Sequence, residues 1–239
     1  MDQTIKGLII HQIRYTDQSY IVRIFCDHHG MKSFMVRTGK TSKSSKNNLI
    51  QPLNLVEFEC AVRENTQIQS QRNLRISHPY HNIPFDPVKS AMVMFLNEIM
   101  YKTIPDDYVN DRLFRFISDA MILLDDAIDA RNFHIWCVLE ISRYYGFYPQ
   151  YEKSIVAPYF DIATGEFASA KPMHPNYLDG ECAAMLLSMM DQEWPQVQSM
   201  DLHSSIRRKL LESMVTYIRY HLENLREIKS LSVLYEVFH

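Results

Sequence analysis

The spacing of hydrophobic residues along the chain changes near residue 80. From Thr4 to about Ser77 the hydrophobic residues fall into short runs that turn-forming residues interrupt. Within Tyr20–Cys26 one set of apolar residues alternates with a second set that includes Arg23. This period of two predicts β-strands, because successive side chains of a strand point to opposite faces.

The predicted strands and the segments between them fit a small barrel. His28-His29-Gly30 is a turn before a partner strand over 31–38, and residues 39–48 contain no hydrophobic residue, which predicts an exposed loop. The alternation resumes at 56–62, and 68–76 supplies a fifth, more polar strand. Five strands in about 75 residues are typical of a small closed or half-closed barrel, of which the OB-fold is the commonest kind that binds nucleic acid.

After Pro79 the hydrophobic period becomes 3.6, which predicts helices. We therefore predict an α+β protein, with an N-terminal five-stranded OB-fold β-barrel in residues 1–80 and an α-helical domain in residues 81–239. No long low-complexity segment links the two domains, so we expect them to pack against each other. The predicted helices are 87–104, 110–128, 130–145, 178–190 and 202–225.

The composition excludes several classes of protein. The chain has six glycines and neither a GxGxxG nor a GxxxxGK[ST] string, so it lacks a glycine-rich phosphate loop. The four cysteines are too far apart for a CxxC pair, which predicts reduced, mostly buried thiols. The longest apolar run, 91–96, is too short for a membrane span, and the opening residues do not predict a signal peptide. We expect a cytoplasmic protein without a cofactor.

Charge is unevenly distributed along the chain. Residues 1–80 hold 11 Lys and Arg against 6 Asp and Glu, whereas the remainder holds 14 against 22. No acidic residue occurs between Asp27 and Glu57, a stretch with five basic residues. A local basic stretch in an acidic protein indicates contact with a polyanion, with a solvated loop that keeps the protein soluble as the alternative.

Phosphate contacts need only accessible Lys and Arg along the path of a nucleic-acid backbone. Lys40, Lys43 and Lys46 recur at every third residue, so in an extended loop each lies about 10 Å beyond the last. Tyr20 and Phe34 are candidates to stack on bases, with burial in the barrel core as the alternative. The candidate phosphate-contacting residues are Lys32, Arg37, Lys40, Lys43 and Lys46, followed by Arg14 and Arg23.

The residues that could bind a metal or act in catalysis lack a supporting pattern. His28-His29 and His174 have no second ligand at a spacing such as HxxxH, so a turn is the plainer account of the first pair. Asp125, Asp126 and Asp129 could present two carboxylates to a cation, or they could form a solvated acidic helix end. No GxSxG or HExxH string occurs. We predict neither catalytic residues nor a metal site.

Several motifs resemble those of the RecO family of bacterial recombination mediators. The opening GLIIHQIRYTDQSYIVRIFCDHHGMKSFMVRTGK is followed by the basic segment KTSKSSKNNLIQPLNLVEFEC and then by helices. Gln51-Pro52-Leu53 is similar to the family's "LQPF" strand, LEISRYYGFYPQ resembles its "LLGYxP" segment, and KSLSVLYEV is like its "SLxxL" tail. The resemblance covers almost the whole chain.

One departure from the family pattern concerns zinc. Many family members carry two CxxC pairs just after the "GYxP" segment, where the four cysteines form a structural zinc site. Residues 151–175 of this chain contain no cysteine and include the string YFDIATGEF. We therefore expect packing alone to hold this region.

The resemblance implies a DNA-binding recombination mediator that is not an enzyme. Such a protein binds single- and double-stranded DNA, anneals complementary strands, and joins RecR in loading the RecA recombinase onto strands covered by single-stranded-DNA-binding protein. It works in the cytoplasm in association with the nucleoid, and its basic residues contact phosphates rather than read bases. Two alternatives stay open: an RNA-binding OB-fold protein of translation or RNA metabolism, and a metal-independent enzyme on a helical scaffold.

The resemblance also implies that the helical domain docks the acidic C-terminal tail of the single-stranded-DNA-binding protein. Arg207, Arg208 and Lys209 adjoin apolar residues at 206, 210 and 211. Cations beside an apolar pocket suit the carboxylates and terminal aromatic ring of an acidic peptide. Arg207 and Arg208 are therefore the candidate tail-binding residues. The alternative is that these side chains simply extend from a solvated helix face.

Overall fold

The fold is seen in a computed structural model, which describes residues 3–37, 48–63, 66–106, 108–152, 157–222, 225 and 227–238. The chain divides into two compact units. The first unit runs to Asp126 and takes in Ile228–Phe238, and the second spans Ala127–Glu227. The first unit thus extends beyond residue 80 and includes helices. Whether residues 1–80 form a domain of their own stays a prediction.

The first unit contains a curled sheet of six strands. These are β1 (Gln3–Thr16), β2 (Ser19–Cys26), β3 (Gly30–Arg37), β4 (Leu55–Cys60), β5 (Ile68–Ser70) and β6 (Arg72–His78). Their order across the sheet is β5-β3-β2-β1-β4-β6. Neighbouring strands are antiparallel except for β3 and β5, which run parallel.

A break in the last predicted strand closes the barrel. The predicted fifth strand is in fact two strands, β5 and β6, which Gln71 alone separates. Ser70 of β5 pairs with Met35 of β3, whereas Arg72 of β6 pairs with Glu59 of β4. Two consecutive strands therefore join the two edges of the sheet. This arrangement confirms the α+β class and the OB-type barrel, with six strands in place of the predicted five.

The inner face of the sheet forms the barrel core. Ile24, Phe34 and Phe58 are buried there, and the two phenyl rings meet edge to face with their centroids 4.7 Å apart. Gly7 of β1 is required at this point, because a Cβ atom would clash with Ile24 Cγ2. Phe34 thus belongs to the core and is not a surface on which bases can stack. Tyr20 is half-buried against the same core.

Helices make up most of the remaining described chain. All five predicted helices are confirmed with somewhat shorter ends, and the fourth starts at Gly180 because Leu178 belongs to a strand. Two short helices near the C-terminus are additional to the prediction. The helices are α1 (Pro87–Thr103), α2 (Asp111–Asp126), α3 (Phe133–Tyr144), α4 (Gly180–Met189), α5 (Trp194–Gln198), α6 (Ser204–His221) and α7 (Ser230–Val237). None of the helices in this part of the chain is long and apolar enough to cross a membrane.

Asp125, near the end of α2, holds the segment that leads from the barrel to the helices. Its carboxylate accepts hydrogen bonds from the backbone N–H groups of His81, Asn82 and Ile83 at 2.7–2.8 Å. Its backbone carbonyl accepts a hydrogen bond from the buried Lys89 Nζ at 2.8 Å. Burial raises the pKa of the Asp125 carboxyl, but the backbone hydrogen bonds and the Lys89 charge outweigh burial and hold it below the ordinary value.

Asp125 therefore corrects both interpretations of the acidic cluster. The residue is 1% exposed, so it belongs neither to a solvated helix end nor to a cation site. Asp126 beside it is exposed. Asp129 is satisfied within its own unit by an ion pair with Arg131 at 2.7 Å.

A second carboxylate fastens the C-terminal helix α7 within the first unit. Glu98 of α1 accepts hydrogen bonds from the backbone N–H groups of Lys229 and Ser230 at 3.0 and 2.8 Å, and from Ser230 Oγ at 2.6 Å. Lys102 forms an ion pair with Glu98 at 2.7 Å. Burial raises the pKa of Glu98, but the hydrogen bonds from Lys102, Ser230 and Lys229 outweigh burial and lower it to about 2.

The second unit contains a small sheet that the sequence pattern does not predict. Its strands are β7 (Tyr159–Asp161), β8 (Glu166–Ala168) and β9 (Tyr177–Asp179), in the antiparallel order β8-β7-β9. Phe160 packs against Phe167 and against Tyr217 of α6, with ring centroids 4.9 and 5.6 Å apart. Gly165 has a φ of 77°, and a Cβ atom there would lie 2.7 Å from Tyr217 Oη. Aromatic packing therefore holds the sheet against α6.

The four cysteines, Cys26, Cys60, Cys137 and Cys182, are free and buried, as the sequence predicts. Burial raises the pKa of the Cys26 and Cys137 thiols. Because the thiolate is the reactive form, these two side chains are inert residues of the core.

Replacement of Asp125 by Asn is expected to destabilise the first unit strongly. The amide NH2 would face backbone N–H donors, and each lost hydrogen bond to a charged acceptor contributes roughly 1.5–3 kcal/mol. We expect the free energy of unfolding to fall by about 3 kcal/mol or more. Chemical denaturation of the full chain measures this change. Asp126→Asn is the matched control and should change stability by less than about 0.5 kcal/mol. Equal effects of the two substitutions would contradict the anchoring role.

Glu98→Gln is expected to destabilise the protein in a pH-dependent manner. The folded-state pKa of Glu98 lies below its ordinary value of 4.5, so the charge contributes stability above about pH 4.5 that is lost as pH falls towards 2. At pH 7 we expect a difference in unfolding free energy of about 2 kcal/mol between the wild type and the variant. Denaturation curves over a pH series measure how this difference shrinks. Glu236→Gln, on the exposed face of α7, is the control. If the difference in unfolding free energy between the wild type and Glu98→Gln did not change with pH, the lowered pKa of Glu98 would be refuted.

Candidate nucleic-acid interface

The tip of the β1–β2 hairpin and the end of β3 lie side by side. Thr16 pairs with Ser19, and Ser19 pairs in turn with Arg37, the last residue of β3. Arg37 is exposed. Arg14 on the hairpin is also exposed, and it forms an ion pair with Asp17 at 2.7 Å. Two of the predicted phosphate-contacting residues therefore lie at this end of the barrel, which is termed the hairpin end.

Closure of the barrel brings a further basic residue to the hairpin end. Met35 of β3 pairs with Ser70 of β5, so Arg37 and Arg72 each stand two residues beyond a paired position. Arg72 is exposed and lies opposite Glu59 of β4 in the strand register. Arg72 is not among the residues predicted from the sequence, because its position depends on the break between β5 and β6 and on pairing between distant residues.

A groove of about 540 Å³ opens at the hairpin end, between β3 and β6. Its apolar lining includes Val36, which is buried, and Leu49 and Leu74, which are half-buried against the barrel core. Arg37 and Arg72 line the same groove and are exposed. The groove thus places apolar side chains beside two cations and other polar residues.

Tyr15 is the exposed aromatic residue of the hairpin end. It stands next to Arg14, and 64% of its surface is exposed. A solvent-facing ring is suited to stacking on an unpaired base. The sequence favours Tyr20 and Phe34 for this role, but both pack into or against the core. What distinguishes Tyr15 is its position in β1. It lies beyond the bulge near Ile9, in the last part of the strand, where the residues are exposed.

Arg23 and Lys32 lie toward the opposite end of the barrel. Arg23 of β2 pairs with Ser33, four residues before the end of β3, and Lys32 lies five residues before that end. Both positions are therefore about 13–17 Å from the end of β3. The guanidinium of Arg23 donates a hydrogen bond to the carboxylate of Asp106 and lies 5.4 Å from the centroid of the Tyr101 ring. Lys32 is half-buried. The structure therefore does not bring these two residues together with those of the hairpin end.

The three lysines of the basic loop lie outside the described residues. Lys40, Lys43 and Lys46 follow Arg37 in the chain, and Arg37 is the last described residue before them. Their role in phosphate contact stays a prediction.

The His28-His29 turn meets the start of α2. His28 donates its backbone N–H to Asp111 Oδ1 at 3.0 Å, and its Nδ1 lies 2.6 Å from Asp111 Oδ2. Asp27, His28 and Asp111 thus present three potential ligand atoms within 4.8 Å of one another, a cluster that the sequence cannot reveal because Asp111 is distant along the chain. The hydrogen bonds within this cluster already account for its geometry, so it fastens the turn to α2.

His174 is likewise explained by its local contacts. Its Nε2 lies 3.1 Å from Asp161 Oδ2, and its Nδ1 accepts a hydrogen bond from the backbone N–H of Asn176 at 3.3 Å. These bonds join the loop before β9 to the end of β7. His174 therefore has a structural role in the second unit.

The two arginines predicted to bind an acidic tail differ in their surroundings. Arg207 is buried, and it donates hydrogen bonds to the backbone carbonyl of Leu202 at 2.8 Å and to Asn132 Oδ1 at 3.3 Å. Arg208 is exposed and bonds to Glu212 at 3.1 Å. Arg207 therefore does not extend from a solvated helix face, because its guanidinium serves as an internal donor, and its part in tail binding stays a prediction.

Comparison with protein families assigns both parts of the chain. A family model described as "Recombination protein O N terminal" matches residues 1–80. A second model, described as "Recombination protein O C terminal", matches residues 84–232. Together the two models account for nearly all of the chain.

Individual proteins that align with this chain over 98–100% of its length carry the name of the same family. The DNA repair protein RecO of Bacteroides fragilis is 32% identical over 241 residues, which cover 100% of both chains. The DNA repair protein RecO of Flavobacterium psychrophilum is 32% identical over 236 residues, or 98% of both chains. The corresponding protein of Phocaeicola vulgatus is 31% identical over 240 residues. The chain therefore belongs to the recombination protein O, or RecO, family of DNA repair proteins.

Proposed function

We propose that this protein binds single- and double-stranded DNA at the hairpin end of its barrel. The observation that carries the proposal is the strand register, which gathers Arg14, Arg37 and Arg72 at one end. The basic segment with Lys40, Lys43 and Lys46 follows directly along the chain. Contacts between these cations and phosphates are independent of sequence, which suits a protein that acts wherever DNA is damaged.

In this proposal the protein anneals complementary strands by neutralising their phosphates. Two strands repel each other, and cations that contact both strands at once reduce this repulsion so that base pairing can begin. The step needs neither ATP nor a catalytic residue, so the protein acts as a mediator rather than an enzyme. With RecR as its partner, it then helps to load RecA onto DNA that single-stranded-DNA-binding protein covers. The names of the relatives favour this DNA-based function over the RNA-binding alternative.

We also propose that the second unit docks the acidic C-terminal tail of the single-stranded-DNA-binding protein. Arg208 and Lys209 are exposed on α6, where they bond to Glu212 and to Asp179 at 3.1 and 3.4 Å. Pairs of this kind contribute little when exposed to solvent, so an acidic peptide can replace them at little cost. Arg207 supports the site from within by bonding to the segment that precedes α6.

Replacement of Lys40, Lys43 and Lys46 together by alanine is expected to weaken DNA binding to all sequences alike. For every phosphate that the variant no longer neutralises, the slope of log affinity against log salt should fall by about 0.7 for a single strand and about 0.9 for a duplex. Fluorescence anisotropy over a salt series measures both quantities. The control replaces Lys171, Arg219 and Lys229 by alanine, which removes equal charge outside the hairpin end. Equal reductions in the two triple variants would indicate a general charge effect and contradict the proposed site.

Arg208→Glu is expected to weaken binding of a peptide with the acidic tail while leaving oligonucleotide affinity within about twofold of the wild type. Reversal of the charge replaces attraction to the peptide carboxylates by repulsion. Calorimetric titration with the peptide measures the effect. Arg219→Glu, on the exposed part of the same helix, is the matched control. Tail binding that survives Arg208→Glu in a folded protein would exclude this part of α6.

A further inference from the structure

The groove at the hairpin end has features that phosphate contacts do not require. A phosphate needs only an exposed cation, yet Val36, Leu49 and Leu74 add apolar side chains to the lining of this groove. The groove measures about 540 Å³, which is within the size range of sites for small organic groups. Its chemistry thus suits a ligand with apolar faces and an anionic backbone.

The groove exists because the closing strand departs from β3. The parallel pairing of β3 with β5 ends at Met35 and Ser70. Among the described residues no strand pairing joins the next part of β3 to Asn73 and Leu74 of β6. Asn73 has a φ of 54°, so the backbone turns in the left-handed region at this point. The two walls of the groove, β3 and β6, are therefore held apart by the way the barrel closes.

Gln71, between β5 and β6, also lines the groove and carries an unsatisfied acceptor. Its Oε1 is buried and has no hydrogen-bond partner in the described part of the chain. A buried oxygen in this state is unfavourable unless a donor reaches it. The last torsion of a glutamine side chain is soft, so the amide can turn toward an occupant of the groove at little cost.

We propose that this groove holds one unstacked base of a single DNA strand, an inference that rests on the proposed DNA-binding function. The faces of the base lie against Val36, Leu49 and Leu74, and an N–H group on its edge donates to Gln71 Oε1. The flanking phosphates lie at Arg37 and Arg72. The edge in question is the Watson–Crick edge, on which adenine, cytosine, guanine and thymine all carry an N–H group, so the contact tolerates any sequence. A base within a duplex does not enter, because its edge is paired and its faces are stacked.

An acidic peptide with a terminal aromatic side chain is the competing occupant. Its carboxylates would suit Arg37 and Arg72, and its ring would suit the apolar lining. A phenyl ring, however, has no N–H group for Gln71 Oε1. The unsatisfied acceptor therefore favours the base.

Gln71→Leu in the full-length protein tests the inference, since leucine is of similar size and has no acceptor. Anisotropy titrations compare three probes of equal length: a mixed-sequence single strand, a strand of abasic sites, and a duplex. We expect the variant to bind the single strand about fivefold more weakly, the change that corresponds to one net hydrogen bond. Its affinity for the abasic strand and the duplex should match that of the wild type. Gln196→Leu, an exposed glutamine of α5, is the matched control.

A second variant covers the case in which Gln71→Leu alters folding. Ser70 is exposed on the edge of the groove, so Ser70→Trp should fill the groove from outside and abolish the preference for the single strand over the abasic strand.

A decrease in affinity that is equal for all three probes, or no decrease, would overturn the inference. Displacement of the single strand from the groove by the acidic peptide would assign the groove to a peptide instead. If the wild type bound none of the probes, the proposed function itself would fail, whereas normal binding by both variants would remove only the base site.

Discussion

Closure of the barrel by two consecutive strands is the constraint on which the arrangement of the first unit depends. β5 pairs in parallel with β3 and β6 pairs in antiparallel with β4, so the single residue Gln71 connects the two edges of the sheet. Closure thus joins the two edges of the sheet through one short segment of the chain. It also brings Arg37 and Arg72, from distant parts of the sequence, to one end. The groove lies where the closing strand departs from β3, so the same feature completes the fold and shapes the candidate site.

Two carboxylates fasten the helical part of the first unit, a buried one at Asp125 and a half-buried one at Glu98. Asp125 binds three successive backbone N–H groups after β6, and Glu98 binds two at the start of α7. In both places a negative charge satisfies donors that have no partner in a strand or a helix. Part of the acidic character of residues 81–239 is therefore structural. In contrast, Arg14, Arg37 and Arg72 of the barrel are exposed at its hairpin end.

The sequence predicts the regular elements well because hydrophobic periodicity is a local signal. The period of two in β2 and the period of 3.6 in α2 both reflect burial of one face. Local periodicity does not predict features that depend on distant residues. The break at Gln71 and the burial of Arg207 are two such features, because both depend on tertiary contacts. Three-residue strands such as β7 are too short to display a period. For the candidate site, the basic stretch contributes Arg37 and the strands beside it contribute Arg14. The same reasoning also groups them with Arg23 and Lys32, which the strand ladder separates.

Hydrogen–deuterium exchange of the full-length protein, with and without saturating single-stranded DNA, tests most directly whether the hairpin end is the DNA-binding surface. Backbone amides covered by a ligand exchange more slowly. The proposed arrangement predicts slower exchange in peptides that cover residues 14–20, 35–49 and 68–75, with no change around the His28 turn. Protection confined to that turn, or to the second unit, would contradict it.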